Sequence, residues 1–223
     1  MNELDLRREI CRIGKSLFDR GYVHGTSGNI SVRLDEGFLI TPTDACLGFL
    51  EPDGLSLVDA LGRHVDGDRP SKTLHLHERI YAAATRFDPS VRCIVHTHST
   101  HCVQLSLTSD GPELLPPLTP YFVMKVGHVP LLRYFRPGDP EAARRVADLI
   151  ESYGASGTPL RAVMLSRLGP NVWGSSPMVA MAILEELEET ARLACAMPST
   201  GGSTSPLDAE QLADLKSMFG SYW

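Results

Sequence analysis

The hydrophobic positions of this chain change period several times, and each change marks an element. Over residues 3–20, Leu6, Ile10, Ile13 and Leu17 recur at 4-3-4 spacing, the stripe of an amphipathic helix. Gly21 follows directly, where a helix commonly stops in a conformation that glycine tolerates. The stretch GYVHGTSGNISVRL passes from a glycine-rich turn into alternation at Ile30, Val32 and Leu34, which predicts loop and then strand. GFLIT (37–41) is its natural hairpin partner, and TPTDACLG beyond it is a polar loop whose side chains bond their own backbone.

After Pro70 and Ser71 the helical period returns, with Leu74, His77, Tyr81 and Ala84 on one face. VRCIVHTH (91–98) predicts a strand, and Ser99 offers a cap for a helix through THCVQLSL. KVGHVPLLRYF (125–135) reads as a further strand region. DPEAARRVADLIESYG predicts a helix with Pro140 in its first turn and Gly154 after its end. RAVMLS and PNVWG flank RLG as a hairpin, and Ser176 and Pro177 open the longest helix. PSTGGSTSPL (198–207) is low-complexity linker, DAEQLADLKSMF a short amphipathic helix, and the final GSYW reads as exposed. Strands near the middle flanked by long helices predict a three-layer α/β/α domain over 1–197, with 198–223 as linker and short helix.

Composition narrows the function classes. With 43% hydrophobic and 22% charged residues, the 223-residue chain is an ordinary globule long enough for a sizeable core. A net charge of −6 argues against a nucleic-acid surface, while a local pocket can still oppose it and take a small anion. The five cysteines (Cys11, Cys46, Cys93, Cys102 and Cys195) are odd in number and contain no C-x-x-C, so neither a disulfide framework nor a zinc ribbon is expected. Reduced thiols fit a cytoplasmic protein. The charged start, MNELDLRREI, predicts no signal peptide, and no apolar run is long enough to predict a membrane span.

Candidate chemistry concentrates in HTHSTH (96–101). On a strand, His96 and His98 face one side and could converge on a metal ion; a polar core or interface role is the alternative. His101 lies on the following turn, where capping or packing is favoured, and His77 reads as a core histidine. GTSGN (25–29), TPTD (41–44) and PSK (70–72) combine glycines, hydroxyls and a helix start, a combination suited to an anion and also to ordinary turns. GTSGN precedes a strand, so it is no dinucleotide fingerprint, and no G-x-S-x-G supplies a nucleophile. Tyr121 could donate a proton or simply pack, and Lys125, Arg133 and Arg136 could hold a carboxylate or lie solvated.

GTSGNISVR, ITPT, PSKTLHLH, IVHTHSTH, TPYFVMKVG and LGPNVWG, in that order, resemble the class II aldolase/adducin family over residues 5–196. The run PPLTPYFVMKVGHVPLLRYFRPGDP is most similar to a branch that decarboxylates 3-oxo-tetronate 4-phosphates. The resemblance implies an α/β/α sandwich around a mostly antiparallel central sheet, assembled as a homotetramer with active sites near subunit interfaces. It implies a divalent metal, zinc by preference, with His96 and His98 as ligands. It places a substrate phosphate at Gly28, Asn29, Thr43, Ser71 and Lys72, and a proton donor at Tyr121. The implied partner is a small phosphorylated sugar acid.

Two positions depart from the family pattern. Thr73 stands where many members carry an acidic base that also binds metal in some sites. Decarboxylation generates its own carbanion and needs no such base, so Thr73 favours decarboxylation over aldol cleavage. Leu168, in SRLGP, replaces the usual third histidine, leaving His101, His75, Glu78 or a neighbouring subunit as substitutes, or Arg167 as a substitute charge. The alternatives are a sugar-phosphate aldolase and a catalytically inactive binding protein of the same fold.

Overall fold

The computed structural model describes residues 2–197 and 205–223; residues 198–204 of the predicted linker (198–207) lie outside them. In chain order the elements are α1 (Glu3–Asp19), β1 (Asn29–Leu34), β2 (Gly37–Ile40), β3 (Ser56–Val58), β4 (His64–Asp66), α2 (Leu74–Ala84) and β5 (Cys93–His96). They continue with α3 (Thr100–Thr108), β6 (Leu131–Leu132), α4 (Pro140–Ala155), β7 (Ala162–Leu165), β8 (Gly169–Gly174), α5 (Pro177–Ala196) and α6 (Ala209–Phe219). The strands form one sheet in the order β4-β3-β2-β1-β5-β8-β7-β6. Every pairing is antiparallel except β6 with β7.

Alternation along β5 divides the core in two. Cys93 and Val95 face a cluster with Ile10, Ile13 and Leu17 of α1 and Leu184 and Leu187 of α5. Ile94 faces the other way, with Trp173, against Ile80 and Tyr81 of α2 and Val146 and Ile150 of α4. The expected three-layer sandwich with a mostly antiparallel sheet is therefore present. His96 follows Ile94 at a spacing of two and shares the α2–α4 side.

Several boundaries differ from expectation, each for a local reason. The strand predicted over 91–98 stops at His96, so His98 lies on the connection to α3. The region 125–135 is only partly strand: residues 122–126 form a π-helical turn, and β6 is two residues long. The Thr119 hydroxyl accepts from Phe122 N–H at the start of that turn. Gly127 ends it at φ +76°, its N–H donating to the Phe122 carbonyl at 2.9 Å. Gly154 lies inside α4, not beyond it; a Cβ there would sit 2.4 Å from the Phe87 ring, so close packing explains the glycine. Strands β3 and β4, three residues each, are too short to show a period. The GSYW end is not uniformly exposed, since Ser221 is buried and Trp223 stacks on His128 at 4.2 Å.

Ser99 precedes α3 but makes no side-chain cap; its hydroxyl bonds that of Thr97. The cap comes from α5. Glu188 accepts from the N–H groups of His101 and Cys102 at 2.9 and 3.0 Å, and from His101 Nδ1–H at 2.8 Å. This tertiary cap fixes the chain immediately after His98. Glu188→Leu removes it and leaves donors unpaired, at a loss of about 2–4 kcal/mol from one lost cap and one or two orphaned groups. Urea unfolding checks this: Glu188→Leu should be strongly destabilised and Glu188→Gln much less so.

Candidate active site

The carboxyl end of β5 opens into a cavity of about 330 Å³ lined by Gly28, Asn29, Thr43, Ser71, Lys72, Thr73, His96 and His98. These are the residues that the family resemblance selects for metal and phosphate, together with Thr73, gathered from three separate loops and the end of β5. Gly28, at φ +83°, lets the first loop lie against β5; a Cβ there would be 2.9 Å from the His96 carbonyl. Ser27 ties the same loop by accepting from His24 N–H and donating to the His24 carbonyl. Thr43 N–H donates to the Arg69 carbonyl at 2.9 Å, so the second and third loops are joined. At the start of α2 the Ser71 hydroxyl meets Thr73 Oγ1 at 2.9 Å and accepts weakly from Thr73 N–H. Lys72 stands 3.7 Å from Asp44, both largely exposed, and its ammonium is free to turn toward an anion.

The floor is buried and neutral. Asn29, His96 and Asn171 are direct cross-strand partners on β1, β5 and β8, so their side chains share one face. His96 Nδ1–H donates to the Pro170 carbonyl at 2.9 Å, which leaves the Nε2 lone pair free. Burial first, and His98 second, push the His96 pKa down to about 4, so the ring is neutral at pH 7. His98, less buried, is lowered by burial and by His24, whose ring centroid is 6.2 Å away. His77 is buried on α2 with Nδ1 2.7 Å from the Ser31 hydroxyl, so the expectation of a core histidine holds for one nitrogen. Its Nε2, Asn29 Oδ1 and both amide atoms of Asn171 have no protein partner. Of these residues Asn29 lines the cavity, while His77 and Asn171 lie beneath it.

The ring centroids of His96 and His98 are 5.1 Å apart. Two imidazoles on one tetrahedral zinc, with Zn–N near 2.0–2.1 Å, place their centroids about 5 Å apart. The pair thus fits two corners of a metal site, with His96 in the ligating tautomer. Among the described residues, however, no group of three His, Cys, Asp or Glu side chains is arranged to hold a metal. His101 is turned into Glu188, His75 stands 3.7 Å from Glu78, and Leu168 and Thr73 present no ligand of the missing kinds. The residues present fit a metal held by two rings with its other positions open, not a closed three-histidine centre.

Leu168 lines the cavity beside Leu165. Its backbone is firmly placed: Leu168 N–H donates to the Leu165 carbonyl, and Arg167 N–H, at φ +67°, donates to the Ser106 hydroxyl. Gly169 follows with φ +141°, where a Cβ would lie 1.9 Å from the Thr97 carbonyl. Tyr121 is outside the cavity of its own chain, 60% exposed, with the Lys125 ammonium over its ring. Of the three cations considered for a carboxylate, only Arg136 lines the cavity, with Asp139. The signal that could have selected it is RPGDP, a turn sequence placed directly before a helix.

Residues 8–195 match the family model described as Class II Aldolase and Adducin N-terminal domain. A 3-oxo-tetronate 4-phosphate decarboxylase from Cupriavidus necator is 50% identical over 225 aligned residues, covering 99% of each chain. A protein of the same name from Escherichia coli K12 is 42% identical and covers 86% of each. The crystal structure of YgbL from Klebsiella pneumoniae superposes with a TM-score of 0.86 at 40% identity, covering 96% of this chain and 99% of that one.

The buried histidines make stability depend on pH. In the unfolded chain His77 takes up a proton as pH falls through about 6.5, whereas in the folded protein burial holds its pKa down to about 3. Its contribution is therefore complete above pH 6.5 and is lost as pH falls from there toward 3. Between pH 7 and 5 the loss reaches about 2 kcal/mol for one such group, from the limiting slope of 1.36 kcal/mol per pH unit. Urea unfolding of metal-free protein at the two pH values should show a smaller drop for His77→Gln than for the wild type.

Proposed function

The chain belongs to the class II aldolase and adducin family, and from that premise we propose that it is a lyase converting 3-oxo-tetronate 4-phosphate to dihydroxyacetone phosphate and CO₂. Relatives at 42–50% identity bearing the decarboxylase name support this substrate class. The observation that carries decarboxylation over aldol cleavage is Thr73, a neutral hydroxyl in the cavity where a base would stand. An aldolase must remove a proton to make or break its bond. A 3-oxo acid needs none, because the departing carboxylate leaves its electron pair behind.

In this reading the 4-phosphate sits against Gly28, Asn29, Thr43, Ser71 and Lys72, where a glycine backbone, two hydroxyls, an amide and one ammonium line the same cavity. The bond between C1 and C2 breaks, its electron pair moves into the C3 carbonyl, and CO₂ departs. One proton is then added at C2, giving dihydroxyacetone phosphate. His96 and His98 would hold a divalent metal, zinc by the family's preference, which supplies positive charge where the negative charge develops. The Pro170 carbonyl keeps the His96 ring oriented, and Leu165, Leu168, Ala142 and Ala143 give the cavity apolar wall. Tyr121, exposed on its own subunit, delivers the proton across a subunit boundary in a homotetramer. The proposal further places the enzyme in carbohydrate metabolism in the cytoplasm.

Purified protein should release CO₂ and dihydroxyacetone phosphate in equal amounts from 3-oxo-tetronate 4-phosphate, without forming an aldehyde. Silence with and without added Zn²⁺ or Mn²⁺ would sink the reading. Elemental analysis should find near one equivalent of metal per chain, falling below about one tenth in His98→Ala as half the protein ligand set disappears. Lys72→Ala should raise KM roughly 10- to 100-fold, the loss of one charged hydrogen bond of about 1.5–3 kcal/mol, with kcat changed much less.

A further inference from the structure

We infer that Arg136 is the carboxylate-recognition residue of this cavity, and that it makes the site selective for a phosphorylated acid over the corresponding phosphorylated ketone. The inference rests on the proposed reaction for the identity of the acid, and on the cavity itself for the residue. Apart from its histidines the cavity lining carries two basic side chains, Lys72 and Arg136. Lys72 belongs to the hydroxyl- and glycine-rich loops suited to phosphate. Arg136 comes from a separate wall, the segment between β6 and α4. A ligand carrying two anionic groups matches two cations contributed by different walls.

The local structure holds Arg136 ready. Arg136, Pro137, Gly138 and Asp139 form a tight turn in which Asp139 N–H donates to the Arg136 carbonyl at 3.1 Å. Proline at the second position and glycine at φ +76° at the third are the pattern of a type II turn. The turn fixes where the arginine leaves the backbone. Its guanidinium makes one loose ion pair, with Asp139, and no hydrogen bond among the described residues. Asp139 uses one carboxylate oxygen to cap α4, accepting from Glu141 N–H at 3.0 Å, and the other oxygen stands 3.7 Å from Arg136 Nε. That separation is too long for a hydrogen bond. Among the described residues the guanidinium donates no hydrogen bond, and the side chain is 68% exposed. A planar fork with free donors is the group that grips a carboxylate at both oxygens.

Two-point grip has a use in the reaction beyond affinity. A carboxylate held at both oxygens cannot rotate freely, so the C1–C2 bond can be kept out of the plane of the neighbouring carbonyl, where its electrons can enter the carbonyl as it breaks. Arg136 acts on the substrate directly and on ligand choice most visibly.

The test is binding, by titration calorimetry, of two stable ligands: a tetronate 4-phosphate lacking the 3-oxo group, which carries both anions, and dihydroxyacetone phosphate, which carries one. Arg136→Ala should weaken the acid at least tenfold while leaving dihydroxyacetone phosphate within about twofold. Lys72→Ala should weaken both. Arg136→Lys should restore only part of the loss, because an ammonium keeps the charge without the fork. Equal weakening of both ligands by Arg136→Ala, or weakening of neither, overturns the inference, and unchanged thermal melting of the variant excludes a folding effect. Carboxylate selectivity that depends on Arg136 in a protein that releases no CO₂ would uphold this site while removing the decarboxylase reading.

Discussion

Everything around the cavity hangs on the register of β5 between β1 and β8. That strand is four residues long and paired on both sides, so no residue in it can slip without moving its partners. The register sets Asn29, His96 and Asn171 side by side, and the adjoining Pro170 carbonyl decides which nitrogen of His96 carries the proton. The same strand divides the apolar core into two clusters, one packed under α1 and α5, the other under α2 and α4. Stability and site geometry are therefore two readings of one set of backbone hydrogen bonds.

Above this rigid floor the mouth is built differently. The floor is neutral, desolvated and short of hydrogen-bond partners, while the rim carries exposed charges in loose 3.7 Å contacts. The difference has a physical logic. A buried neutral imidazole keeps a lone pair available, whereas exposed cations attract an anion and can adjust to it at little energetic loss. The acidic chain as a whole gives no hint that two cations, each loosely paired with a carboxylate, meet at one cavity.

What was legible in the sequence follows from what leaves a periodic trace. The helices, the β1–β2 and β7–β8 hairpins and the His96–His98 pair could all be read, because each has a spacing or a punctuating glycine or proline. The turn at 122–126 could not, since its valines suit a strand and only Thr119 and Gly127 make it helical. The cap of α3 was invisible for another reason: Glu188 lies 87 residues from His101 in the chain and meets it only in the folded state. The three glycine- and hydroxyl-rich loops were each ambiguous alone, and only the fold brings them to one cavity. Tyr121 stands in a run that resembles the family's, and its own chain does not bring it to that cavity.

Position 168 separates scaffold from chemistry. The backbone there is held by Ser106, by the Leu165 carbonyl and by the close crossing of Gly169 over Thr97, none of which involves the leucine side chain. The fold thus keeps a socket from which an imidazole or an alkyl group can be presented to the same substrate, and exchange between the two requires no rebuilding of the loop. Divergence of reaction type within such a scaffold can proceed by exchange of a single side chain.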